Sequence, residues 1–234
     1  MTDRDVATLP TMAHLISVNL GVPRTDPDGD PGVTGIDKRP VSHPVALRAP
    51  GPKNGGLGSG LVGDALFSHE HHGGDDQAAY AYAREDLDWW EAELGRPLSG
   101  GVFGENLTTA GLDVTGALIG ERWQIGDTVV LEVAVPRIPC GTFARWMGEQ
   151  RWQKRFTIRA APGAYLRVIV PGEVRGGDEI TMVDRPDHDV TIGVTFRAMT
   201  REPDLLPRLL SVEALPAEAR AMAHRRTAPY PADD

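Results

Sequence analysis

The 234-residue chain has a single cysteine, Cys140, so an internal disulfide is impossible and a disulfide-stapled fold is excluded. The same count rules out a Cys-rich zinc site or an iron–sulfur cluster held by this chain alone. Positive charge is also scarce: 24 Lys and Arg stand against 33 Asp and Glu, a net charge of −9. Neutralising a nucleic-acid backbone needs a surplus of basic side chains, so no nucleic-acid partner is expected. A small anion held by a local basic patch stays compatible with this balance. No apolar run approaches the length of a membrane span, and Met1-Thr-Asp-Arg-Asp-Val lacks a signal pattern. The expectation is a soluble cytoplasmic protein without a membrane partner.

What is present is ordinary globular composition, 41% hydrophobic and 24% charged, enough for a sizeable core in one domain with or without a small appendage. Residues 14–20 read as a strand, 21–35 as a Pro/Gly/Asp loop and 41–47 as a second short strand. Residues 49–63 carry so much Gly and Pro that a surface loop is expected. In residues 75–94, Ala78, Ala79, Tyr82, Trp89, Trp90 and Leu94 recur at helical spacing, which predicts one helix or two short ones. Asp75 or Asp76 supplies the start, while Gly95 and Pro97 supply the stop. Strands follow at 114–119, 128–135, 165–170 and 178–183, with helical patches at 141–148 and 150–160. Many short strands with glycine turns predict a β-sandwich or barrel. Beyond Pro186, Leu205, Leu206, Leu209 and Leu210 and then residues 215–226 read as small helices. Residues 190–196 are ambiguous, β-branched like a strand yet preceded by Asp189 as a possible helix cap.

Two tempting motifs fail on context. Gly58-Ser-Gly60-Leu-Val-Gly63 has dinucleotide-binding glycine spacing but neither the preceding strand nor the following helix that the fingerprint requires. His69-Glu-His71-His72 offers metal-ligand types, but Gly73 stands where a zinc-binding His-Glu-x-x-His helix needs its second histidine. Gly73-Gly74 does supply a sharp turn, which leaves a separate role for His72 open.

Three pieces carry more chemistry. His72-Gly73-Gly74-Asp75 puts a histidine on a tight turn. Phe103-Gly104-Glu105-Asn106-Leu107-Thr108-Thr109 combines close backbone approach with donors and acceptors. Pro136-Arg137-Ile138-Pro139-Cys140 holds a thiol at a rigid strand end, just before a helical patch and near a cation. That setting favours a reactive thiolate able to bind a soft metal or carry sulfur. Unpaired cysteine is as often a small buried hydrophobe, so the residues alone leave both readings open.

In this order, and with Ile125-Gly126-Asp127, Gly35-Ile-Asp-Lys38-Arg39-Pro40-Val41 and Pro162-Gly163-Ala164-Tyr165, these runs resemble the signatures of the MOSC domain. That domain is named for the C-terminus of molybdenum-cofactor sulfurases. The match runs from residue 14 to about 183. The last segment is similar to the three-helix appendage of stand-alone bacterial MOSC proteins of the YiiM type, associated with detoxifying N-hydroxylated bases such as hydroxylaminopurine. The resemblance implies an α+β fold, mostly β and barrel-like with flanking helices. It places the MOSC domain in residues 1–185 and a three-helix segment in 186–234, and it makes 190–196 helical. It implies a molybdenum cofactor, the metal ligated by Cys140, or sulfur carried there as a persulfide for transfer. Catalytic roles would fall to Cys140, His72, Glu105 and Asn106. Cofactor contacts would come from Lys38, Arg39, Gly104, Thr108, Arg137 and Lys154, with Arg151 as the alternative to Lys154. The implied activity is reduction of N-hydroxylated small molecules. The chain shows no ferredoxin-like tail and no pyridoxal-phosphate domain, so an external electron donor protein is expected, and desulfuration of cysteine is not. YiiM-type relatives imply a homodimer.

Overall fold

Val129-Val-Leu-Glu-Val-Ala-Val-Pro136 is β-branched and apolar almost throughout, and it forms an interior strand of the main sheet, buried on both faces except at Val130. The structure is a computed structural model that describes residues 12–227. Its strands are β1 (His14–Thr25), β2 (Val33–Val41), β3 (Val45–Leu47), β4 (Ala79–Ala83), β5 (Leu107–Ala110), β6 (Arg122–Ile125), β7 (Val129–Pro136), β8 (Ala164–Val170), β9 (Gly172–Val174) and β10 (Ile180–Asp184). Its α-helices are α1 (Arg84–Leu94), α2 (Gly141–Met147), α3 (Trp152–Arg159), α4 (Ile192–Thr200), α5 (Leu206–Leu209) and α6 (Ala217–Thr227).

Eight strands form one sheet in the order β10-β6-β7-β8-β4-β5-β1-β2, and β3 pairs with β9 in a small second sheet. All pairings are antiparallel except β4 with β5. The fold is α+β, but the large sheet is not closed into a barrel as expected, because its ladder ends at β10 and β2. A lone bridge, His14 with Glu179, ties the start of β1 to the residue before β10, with Leu15 N–H donating to Asp178 O at 2.8 Å.

Three expectations are corrected. Residues 75–94 are not one helical unit: a 3-10 turn (Asp75–Gln77) leads into β4, and only Arg84–Leu94 is α-helical. In β4, Ala79, Ala81 and Ala83 face the main core, while Tyr80 and Tyr82 face a second, aromatic core. That period of two decides for a strand, and the helical spacing read across it joined two elements. Gly95 does stop α1, at φ 64° with its N–H on Glu91 O. Residues 114–119 form turns rather than a strand, since the Asp113 carboxylate accepts the Gly116 N–H at 2.8 Å and folds the chain back. The Gly-rich segment 49–63 is not a free surface loop. Arg48 N–H, Gly60 N–H and Val62 N–H donate to Gly60, Ala78 and Ala46 carbonyls respectively, and Leu61 is buried. A Cβ on Gly60 would lie 2.8 Å from the Ala78 oxygen, so glycine here permits packing.

Two clusters hold the fold. The main one fills the sheet and also contains Ile192, Ala198, Leu206, Leu209, Val212 and Leu215, so the C-terminal helices share the core of the strands. β-branched Ile192, Val194 and Thr195 sit in α4 because the Thr191 hydroxyl accepts the Val194 N–H and Ile192 and Thr195 are buried. The second cluster stacks Trp90, Trp152, Phe103, Phe143 and Phe156 with centroids 4.6–6.3 Å apart, locking α1, α2 and α3 beside the loop before β5.

Candidate active site

Where β7 ends, Pro136 and Pro139 keep the chain extended, and Cys140 (φ −110°, ψ 174°) precedes the first turn of α2. The thiol is half-buried and lines a cleft of about 400 Å³. Arg137, three residues earlier, turns into the same cleft with 5% of its surface exposed. Its guanidinium donates to the Phe103 carbonyl and lies over the Phe143 ring at 4.2 Å and the Tyr80 ring at 5.2 Å. Among the described residues it has no carboxylate partner within salt-bridge distance. Burial is the largest influence on its pKa and works to lower it, but the phenol groups of Tyr165 and Tyr80 and the Cys140 thiol outweigh it and push the pKa up. A permanently charged, unpaired guanidinium beside a thiol is a receptor for an anion.

The surrounding groups are already spoken for. Lys38 Nζ pairs with Asp64 Oδ1 at 2.5 Å, and Asp64 Oδ2 accepts from Ser59 Oγ at 2.7 Å and Asn106 Nδ2 at 3.0 Å. Arg145 grips Asp26 with two bonds of 2.7 and 2.6 Å, fastening the loop before β2 to α2. These ties fix the walls of the cleft. Gly104 (φ 76°) completes its floor, since a Cβ there would meet Ile36 Cδ1 at 2.8 Å and Arg137 Nη1 at 3.2 Å.

Comparison with known proteins then settles the family. Residues 68–181 match the model of the MOSC domain. "Uncharacterized protein YflK" of Bacillus subtilis (strain 168) is 33% identical over 211 residues, covering 88% of this chain and 91% of that protein. The chain belongs to the MOSC domain family. It is of the YiiM type: the crystal structure of YiiM from Geobacillus stearothermophilus superposes with a TM-score of 0.73 at 29% identity, over 92% of this chain and 100% of that one. A protein named "Reductase" from Gibberella moniliformis is 29% identical over 78% of this chain, which spans only 31% of that longer protein.

Within this MOSC chain, six of the residues singled out from sequence meet at the cleft: Cys140, His72, Arg137, Lys38, Gly104 and Asn106 all line it. Four do not. Glu105 is fully buried beneath the floor and faces its own loop, accepting from Gly101 N–H at 2.6 Å, Phe103 N–H at 2.9 Å and Thr108 Oγ1 at 3.1 Å. Thr108 is buried with it and also accepts from Asn19 Nδ2. Arg39 points to solvent with 62% of its side chain exposed and pairs with Asp37. Lys154 is exposed on α3, and Arg151, its alternative, is exposed at the start of that helix. Basic spacing on a helix did not reveal which way the helix faces. Sequence reasoning missed Asp64 and Asp26, since acidic residues in turns read as loop formers, and it gave no role to Arg145, Thr142 or Tyr80. Tyr165 stood in a quoted motif without a role, and it lines the cleft.

His72 lowers its pKa to about 4, mainly by burial and then by the nearby Arg137. A folded pKa below the ordinary value of 6.5 means that its contribution to stability is full above pH 6.5 and is lost as pH falls towards about 4. We expect its ring signals in NMR to stay those of neutral imidazole down to about pH 5; a midpoint near the unperturbed value would show the ring to be solvated instead. No helix among the described residues is long and apolar enough to cross a membrane.

Proposed function

We propose that this protein binds a molybdenum cofactor at the Cys140 cleft and reduces N-hydroxylated small molecules there, with electrons from a separate donor protein. The observation that carries the reading is the pairing of an accessible thiol with the buried, unpaired guanidinium of Arg137 in one cleft. Among the described residues no three His, Cys, Asp or Glu side chains come together to hold a metal ion. One thiol beside one buried guanidinium suits a metal that arrives with most of its own ligands and needs a single protein thiolate, together with an anionic arm. The residues fit that group: Cys140 Sγ would hold the metal, and Arg137 would take the anionic arm. Lys38 and Asn106, held by Asp64, keep the wall rigid. When bound, the cofactor supplies two-electron removal of oxygen from an N–O bond.

The net reaction takes an N-hydroxyl group, two electrons and two protons to an N–H group and water. Tyr165 keeps its proton because burial raises its pKa, and its hydroxyl makes no hydrogen bond within the described residues, so it can donate into the cleft. His72 stays uncharged at neutral pH, so one of its ring nitrogens is a donor and the other an acceptor.

The reading is tested by molybdenum and pterin analysis of protein made in a cofactor-competent host, followed by assay with hydroxylaminopurine and a reduced viologen donor. One molybdenum per chain with turnover supports it. Sulfane sulfur on Cys140 with no molybdenum would replace it with a sulfur-carrier role.

A further inference from the structure

Basic residues are unevenly spread along this acidic chain. Of its 24 Lys and Arg and 33 Asp and Glu, residues 137–160 hold six and one, which leaves 18 against 32 elsewhere. That stretch begins just after β7, carries Cys140, and runs through α2 and α3. Three of its six cations are committed. Arg137 lines the cleft, Arg145 is bound to Asp26, and Arg159 pairs with Asp86 at 3.1 Å. The other three, Arg151, Lys154 and Arg155, fall with Ile158 at positions i, i+3, i+4 and i+7, so they share one face of α3.

That face is turned outward, because Trp152 and Phe156 on the other side of the helix are buried in the aromatic core. Arg151 and Lys154 are exposed and make no ion pair among the described residues. Arg155 and Arg96 both approach Glu149, at 3.6 Å each, so four cations share a single carboxylate. Ile158, one turn beyond Lys154, is 56% exposed and adds an apolar spot to the charged face. The face also borders the site. Gln153 Nε2, between Arg151 and Lys154 in the chain, donates to the carbonyl of Pro139, the residue before the thiol, at 3.4 Å.

We propose that the outer face of α3 is the docking surface for an acidic one-electron carrier protein, one with a carboxylate-rich rim around its redox centre. This rests on the reductase reading of the Cys140 cleft, which consumes two electrons and two protons for each N–O bond broken. Two molecules of the reduced carrier dock in turn, each oxidised by one electron, and the hydroxyl oxygen leaves as water. Charge complementarity selects the occupant. The carboxylate surplus in the rest of the chain repels an acidic partner while the α3 face attracts it, which fixes where it lands. A nucleic acid would meet the same repulsion over the longer tract that it must cover. Eight helical residues span about 12 Å. That suits the small, transient contacts of electron-transfer encounters, which bury less than about 1,200 Å². A few unpaired cations around one apolar side chain allow fast association and ready release, as two dockings per turnover require.

The test is turnover of hydroxylaminopurine by the molybdenum-loaded full-length protein, driven either by a reduced acidic flavodoxin or by reduced viologen. Viologen is small enough to reach the cleft without docking. Lys154→Glu is expected to raise the flavodoxin concentration for half-maximal rate about tenfold at low salt, and adding Arg151→Glu about a hundredfold. Added salt should shrink both effects. Lys154→Arg should match the wild type, and all three variants should keep its molybdenum content and viologen-driven rate. An unchanged flavodoxin dependence in the double variant, or an equal loss with viologen, overturns the docking face. So does viologen-driven turnover with none from flavodoxin, or binding of transfer RNA in place of flavodoxin. Calorimetry of the same pairs separates the two readings. Salt-sensitive flavodoxin binding that the reversals abolish, in a protein without viologen-driven turnover, leaves the face standing and overturns the reductase reading alone.

Discussion

Cys140→Ser is expected to carry no molybdenum above background under conditions in which the wild type carries one per chain, with no loss of fold. Serine is close in size, and Cys140 is only half-buried, so stability should change by no more than about 1 kcal/mol. An alcohol is a poor ligand for a soft metal and cannot carry a persulfide, so the variant removes the chemistry and little else. Arg137→Met is the informative companion. It deletes the cation but keeps most of the side-chain volume against Phe143 and Tyr80. Loss of a charge-assisted contact to an anion is worth roughly 1.5–3 kcal/mol, or about 10- to 100-fold in cofactor retention. Metal analysis after gel filtration reads both effects. Full molybdenum occupancy in Cys140→Ser would remove the thiol from the site.

Glu105→Ala is expected to lose about 3–5 kcal/mol of stability, a large part of the total for a single domain. The substitution strips the acceptor from the Gly101 and Phe103 N–H groups and the Thr108 hydroxyl, all within a buried turn. Because Phe103 also supplies the carbonyl that anchors Arg137, the cleft should loosen with it. Thermal unfolding should fall on the order of 10 °C; a change of under 2 °C would show that the turn finds other partners. Burial, the largest influence, raises the Glu105 pKa to about 6 against the restoring effect of its hydrogen bonds. A raised carboxyl pKa contributes stability that is full below about 4.5 and is lost as pH rises to about 6, worth about 2 kcal/mol. This opposes the contribution of His72 over the same window, so Glu105→Gln should unmask a steeper rise of stability with pH than the wild type shows.

Local signals were legible where one element decides its own fate. Gly95 ended α1 as its left-handed stop demands, and Val129–Pro136 announced a buried strand by composition. Residues 79–83 were misread because Ala and Tyr both fit a helix. Only two cores, one on each side of β4, expose the period of two. The 49–63 glycines read as freedom when they serve close packing, and no single-sequence feature separates those uses.

The amino-acid sequence by itself pointed to the family and placed the Cys140 thiol three residues after the Arg137 cation, because these lie in one short run fixed by two prolines. It also determined that His72 sits on a glycine turn. Only the tertiary structure decided that Glu105 and Thr108 serve the turn beneath the site, and that Lys154 and Arg39 face solvent. Only it decided that Arg137 has no carboxylate partner among the described residues while Lys38 and Arg145 have theirs. Charge pairing and burial depend on neighbours distant in the chain, Asp64 for Lys38 and Asp26 for Arg145. The chemical type of each residue is local, whereas the charge it has left to offer a ligand is set by what the fold packs against it.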